Sequence, residues 1–236
     1  MRSRHDLSYL SRTADNPDML SRCVRYTLAV TLILALSSVG LWAAKEFVPP
    51  HPENANTYAA KDAHPAEKVT VAIELYDSPP KDDIFITPYS QNGILPVFLI
   101  VSNDGNQPIT VNNMRVQLVT AGRTKLESLD VDDVFRRIGH IGGSSNGPTR
   151  IGPIQLGGNK NKKAQKQYQE ILNARFAAEA VEPHTTKSGF LFFDIAGVRN
   201  PVGGSHIYLT GLRDAGGADL MYFEIPTIAS NAATGQ

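Results

Sequence analysis

The chain has 236 residues, 23 basic and 23 acidic, with 42% apolar and 19% charged side chains. That length accommodates one sizeable domain or two small ones, and the composition excludes wholesale disorder, a fibrous protein and a polytopic membrane protein. Zero net charge removes bulk attraction to nucleic acid, and a single cysteine excludes an intrachain disulfide and a multi-cysteine zinc site.

Between Arg25 and Lys45 lie 19 residues without a charge, Tyr26 to Ala44. At a rise of ~1.5 Å each they span roughly 28 Å, close to the ~30 Å hydrocarbon core of a bilayer. Leu28, Val30, Leu32, Ile33, Leu34, Leu36, Val39 and Leu41 favour insertion, and Trp42 stands where an interfacial aromatic anchor belongs. The stretch predicts one transmembrane helix over residues 26–44. Residues 1–25 carry Arg2, Arg4, Arg12, Arg22 and Arg25, whereas the 20 residues after Ala44 carry only Lys45 and Lys61. This asymmetry places an Arg-rich leader in the cytoplasm and the body outside, in a single-pass protein of the inner (plasma) membrane. A cleaved signal peptide is the competing reading, because Leu41-Trp42-Ala43 has a cleavage-site character. The apolar run, however, exceeds the usual ~7–15 residues of such a peptide. Cys23 precedes the run, the wrong order for a bacterial lipoprotein, and reads as a juxtamembrane thiol with palmitoylation as the alternative.

Residues 45–67 hold Pro49, Pro50, Pro52 and Pro65 and predict an extended linker; His51 and His64 within it lack partners at metal-ligand spacing. From Lys68 the pattern changes. Val69, Val71, Ile73 and Leu75 alternate with Thr70, Ala72, Glu74 and Tyr76, which predicts a half-buried strand ended by Asp77-Ser78-Pro79-Pro80. Ile84 to Ile86 predicts a short edge segment. Ile94 to Ser102 is denser and predicts a central strand with Pro96 near its start. Asn103-Asp104-Gly105-Asn106 supplies a turn, followed by strands over 111–120 and 124–129. Later strands are expected over 189–195, 207–212 and 220–225. About seven strands without alternating long helices predict an antiparallel two-sheet sandwich over 68–228, followed by a flexible tail, 229–236.

Residues 130–188 interrupt the strands. Asp130, Asp132 and Asp133 lack the mid-loop Gly and the further oxygens of a calcium loop, so Asp130 is expected to cap a short helix, with Arg136 and Arg137 at its C-terminal end. Seven glycines between Gly139 and Gly158 predict a loop. Its one G-x-S-x-G match, Gly143 to Gly147, lacks the preceding strand and following helix that hold a nucleophile, so Ser145 is not read as catalytic. His140, His184 and His206 are expected on loops or the surface. Lys160, Lys162, Lys163 and Lys166 follow. Gly139 to Lys187 holds seven basic and three acidic residues, net +4; with the leader at +2, the remainder is −6. The lysines form either a solvated helix start or a contact for an anionic partner. Tyr168, Ile171, Leu172, Phe176 and Ala180 form an apolar stripe on a helix predicted over about 162–180. That stripe would pack on the sandwich or act as a docking helix for a partner.

Asn103-Asp104-Gly105 after an apolar strand, the strand over Val111 to Thr120, and Pro183 followed by Gly189-Phe190-Leu191-Phe192-Phe193 resemble the immunoglobulin-like (telokin-like) domains of bacterial membrane-anchored envelope proteins of unknown function. The resemblance covers about Lys68 to Ile225, is broken by the insert, and lacks the antibody-type disulfide. It implies an immunoglobulin-like sandwich and no shared catalytic residues. The resulting expectation is mainly β: an immunoglobulin-like sandwich with a helical and glycine-rich insert, preceded by one transmembrane helix. Its function is a protein-interaction or assembly module of the cell envelope, or a binding module for an anionic ligand through the lysines. No enzyme activity, cofactor, metal or nucleic-acid partner is expected, since neither paired carboxylates nor a credible nucleophile occurs.

Overall fold

A computed structural model describes residues 46–141 and 159–228. The predicted leader, the transmembrane helix over 26–44, Cys23, the glycine-rich segment with Ser145, and the tail 229–236 lie outside the described residues. Among the described residues no helix is long and apolar enough to cross a membrane.

Ten strands occur in the described residues: β1 (Lys61–His64), β2 (Val69–Leu75), β3 (Ile94–Asn103), β4 (Ile109–Thr110), β5 (Arg115–Val119), β6 (Lys125–Glu127), β7 (Ala180–Val181), β8 (Thr185–Asp194), β9 (His206–Thr210) and β10 (Phe223–Pro226). Two helices accompany them, α1 (Val131–Ile141) and α2 (Asn159–Ala174). One sheet runs β1-β2-β3-β8, a second runs β10-β9-β5-β6, and β4 pairs β7. Every ladder is antiparallel.

The inner faces of the two large sheets meet in one core. Val71, Ile73, Leu99, Val101 and Phe193 come from the first sheet; Val116, Leu118, Ile207, Leu209, Phe223 and Ile225 come from the second. The protein is therefore mainly β, with antiparallel sheets packed as a sandwich. At one seam the edges β1 and β10 meet. The Glu224 amide donates to Asp62 at 2.9 Å, and the His64 ring stacks on Phe223 at 3.9 Å.

The outer face of the first sheet is covered as well. Phe98, Ile100, Phe190 and Phe192 pack there against Phe47, Tyr76, Phe85 and Tyr89, and beneath Val134 and Ile138 of α1 and Ile171 and Ala174 of α2. This cover explains several departures from the sequence reading. β2 is buried on both faces rather than half-buried. The predicted edge segment 84–86 begins within a 3-10 turn, Asp82–Ile84, which carries Phe85 into the layer. Of the predicted linker 45–67, residues 46–67 belong to the body. Phe47 stacks on Phe85 at 5.4 Å, the Ala55 amide donates to Ser102 Oγ at 2.8 Å, and β1 forms the first edge of the sheet. Of its prolines only Pro65 lies in a turn, and Phe47, Ala55, Tyr58 and Ala60 pack into or against the cores.

The helix predicted to Ala180 ends at Ala174. Its last backbone bond runs from Arg175 N to Ile171 O, and the next amide, of Phe176, donates to Phe190 O at 2.9 Å. Capture by the edge of β8 thus competes with the next helical turn. Gly189 permits the approach, because a Cβ there would lie 2.4 Å from Phe176 Cα. Phe176 and Ala180 therefore leave the helical stripe.

Candidate functional site: the helical layer and its lysine face

Asp130 starts α1 as expected, its carboxylate accepting the Asp133 amide at 2.7 Å. Arg136 pairs with Asp133 one turn earlier, and Arg137 pairs with Asp194 at the end of β8, which ties the helix to the sheet. Phe135 meets Tyr168 of α2 edge to face at 5.2 Å, and the Tyr168 hydroxyl donates to Asp132 at 3.3 Å.

α2 is held from below by Ile171 and by a buried carboxylate. Glu170 is 2% exposed and accepts the backbone amides of Ile86 and, at 3.1 Å, Thr87. These two amides lie in an irregular segment with no strand partner, and the carboxylate supplies the acceptors that a neighbouring strand would. The Tyr89 hydroxyl and Thr87 Oγ1 are also buried and lack a hydrogen bond of good geometry. Burial, reinforced by the negative charge of Glu170, pushes the Tyr89 phenol well above its usual range. Burial does the same to Tyr76, with Glu74 adding to it.

The N-terminal half of α2 carries Lys162, Lys163 and Lys166, all exposed. Among the described residues none of them makes an ion pair. Lys160 lies in the same helix; its side chain is outside the described part. Lys162, Lys166 and Glu170 recur every four residues, so the lysines continue one ridge outward from the buried clasp. Tyr168 lies about 200° around the helix from Lys166, which separates the lysines from Asp132. The arrangement opposes local helix preferences. The first turn holds no acid, cations at this end face an unfavourable macrodipole, and the Lys162–Lys166 pair repels. Each effect costs a few tenths of a kcal/mol, with no compensating partner among the described residues.

The four positions of the expected docking stripe do not act together. Ile171 is fully buried, Tyr168 and Leu172 are half-buried, and Phe176 lies beyond the helix against the inner core. Sequence reasoning missed Glu170 as a structural clasp. The available signal was its spacing one turn before Ala174, on the side of the helix next to Ile171. It also missed an exposed aromatic pair: Tyr222 packs on Tyr208 at 5.0 Å beside Met221, which is 64% exposed.

A shallow depression of about 400 Å3 lies elsewhere, lined by Gly204, Ser205, His206, Glu224, Pro226 and Thr227. His206 Nε2 is 3.5 Å from Glu224, but no hydrogen bond links Ser205 to His206, so this is not a nucleophile–base pair. His184 contacts Asn106, and His51 is exposed. Among the described residues no three His, Cys, Asp or Glu side chains gather at metal-binding distance. No known protein family and no curated protein matches the sequence of this chain.

Proposed function

We propose that this chain is a non-catalytic binding module: an immunoglobulin-like sandwich held outside the cytoplasm at the plasma membrane by residues 26–44. It makes contact with an anionic partner through the lysine face of α2. Support for the immunoglobulin-like type comes from strand order. β2-β3-β8 follows the A-B-E order of such domains, and β10-β9-β5-β6 follows G-F-C-C′, with the helical insert standing where strand D would run. Support for the membrane anchor remains the uncharged run and its arginine-rich leader.

The observation that carries the contact reading is the combination on α2. The C-terminal half of α2 is pinned by Glu170 and Ile171, and its N-terminal half displays exposed lysines, unpaired among the described residues, whose charge disfavours their own helix. A local penalty retained without internal compensation is the pattern expected where a surface serves a contact. The test is retention of the full-length chain, in mild detergent, on an immobilised polyanion. Replacing Lys160, Lys162, Lys163 and Lys166 by Gln should lower the salt needed for elution and leave the unfolding midpoint nearly unchanged. Identical elution of the two proteins would end this reading.

A second reading, a protein-assembly module of the cell envelope, is favoured by the exposed Met221–Tyr222–Tyr208 patch on the second sheet. Met221→Ser with Tyr222→Ser should then reduce specific cross-linked species in the native membrane. An unchanged cross-linking pattern would count against it.

A further inference from the structure

We infer that the lysine face of α2 seats the domain on the anionic lipid headgroups of the bilayer that anchors its own chain. The inference rests on the anchor proposed over residues 26–44.

The distance along the chain is short. Phe47 is three residues past Ala44, and it is buried, stacked on Phe85 at 5.4 Å and edge-on to Phe190 at 6.3 Å. Three extended residues reach about 10 Å. Only residues 45 and 46 thus separate the uncharged run from Phe47, which already belongs to the aromatic layer.

A chain of contacts connects the lysines to that entry point. Phe85 precedes Ile86 and Thr87, whose amides Glu170 holds. Lys166 and Lys162 lie one and two turns from Glu170, about 6 and 12 Å along the helix axis. Phe47 and α2 also cover the same face of the same sheet. Several carboxylates of this layer are engaged internally: Glu74 by Lys81, Asp133 by Arg136, Asp82 by Ser90 and Glu170 by backbone. The outer face of the second sheet instead mixes Arg115 and Lys125 with Glu127 and Glu224, all exposed.

Three lysines form a weak contact for a free domain, each worth roughly fivefold near an anionic surface at low salt. Tethering makes the encounter intramolecular, and the local headgroup concentration then turns a weak contact into an occupied one. An untethered acidic protein lacks that advantage, so the lipid surface is the favoured occupant.

The experiment uses the full-length chain with Cys23→Ser, placed in phosphatidylcholine nanodiscs with or without phosphatidylglycerol. Gln169→Cys, exposed beside the lysine ridge, carries a fluorophore; Met221→Cys carries it in a reference protein. Quenching by neutral acrylamide should fall about twofold or more at Gln169→Cys in the anionic discs, and recover in high salt as screening lengths shrink to a few ångströms. It should also recover when Lys162, Lys163 and Lys166 become Gln, while the Met221→Cys label stays unchanged throughout. Equal quenching at Gln169→Cys in both lipids would overturn the seating. Flotation of the triple-Gln protein with phosphatidylcholine vesicles in alkaline carbonate checks the anchor separately. Loss of flotation would overturn anchor and seating together, whereas flotation with equal quenching overturns the seating alone.

Discussion

In the first sheet, all ten residues of β3 are buried, and β2 is buried on both faces. In the second sheet, β9 alternates buried Ile207 and Leu209 with partly exposed His206, Tyr208 and Thr210. The two strands meet the same inner core, but only β3 has a second hydrophobic layer against its back. A sheet face covered by aromatic rings and helices requires apolar side chains at every position, and one facing water requires them only at alternate positions. The second layer also holds α1 through Val134 and Ile138 and the C-terminal half of α2 through Ile171 and Ala174.

The largest test of this difference places a charge on equivalent outward positions. Phe190→Asp in the covered face should cost several kcal/mol, a large share of the ~5–15 kcal/mol that holds a domain together. Thr210→Asp on the bare face should stay within about 0.5 kcal/mol. Denaturant titration of both proteins checks the pair, and similar midpoints would abolish the distinction between the faces.

A smaller loss is expected at the junction of the helical layer with β8. Gly189→Ala forces a Cβ against the Phe176 backbone, and overpacking of this kind costs about 1–3 kcal/mol. Thermal unfolding should register it, and a neutral effect would show that the 175–176 segment can lift away freely.

Glu170→Gln tests the clasp itself. One amide nitrogen would then face a backbone donor, at about 1–3 kcal/mol. Hydrogen exchange should accelerate at Ile86 and Thr87 ahead of the strands; unaltered protection there would remove Glu170 from its proposed role.

Alkaline pH sharpens the comparison without a mutation. The Tyr76 and Tyr89 phenols, both in the covered layer, have folded pKa values raised above the unfolded value of about 10. Their contribution is complete below that pH and is lost as pH climbs beyond it, because the unfolded chain releases the protons first. Stability should fall by up to about 1.4 kcal/mol per pH unit for each phenol. Tyr89→Phe should remove its share of the slope, and a flat profile from pH 9 to 11.5 would contradict burial of these hydroxyls. At the small end, Asp130→Ala should cost about 1 kcal/mol through loss of the α1 cap, with a matching loss of helical ellipticity.

The strands that face one core were legible in sequence because alternation records a single wet face. Val116 and Leu118 of β5 stood out for that reason, whereas Val69 to Leu75 alternates in polarity although the second layer buries both of its faces. The covering layer was not legible. Phe47, Ala55 and Phe85 come from proline-rich or irregular stretches whose own periodicity is absent, and only long-range packing reveals their use. β1 and β7 were too short to leave a pattern, and the true end of α2 was fixed by Phe190 and Gly189, distant in sequence. Of the contact surface, the lysine cluster was legible as composition. Its orientation was not, since that depends on the long-range bonds from Glu170 to Ile86 and Thr87.

The burial of Phe47 gives the domain a particular response to mechanical load. A pull on the chain ahead of residue 46 meets the Phe47–Phe85 stack first, then the bond from the Ala55 amide to Ser102, and only then the β1–β2 ladder. Tension from that side would therefore load the aromatic layer before the sandwich core. Phe47 is thus the first contact of the fold to bear tension applied from its N-terminal side.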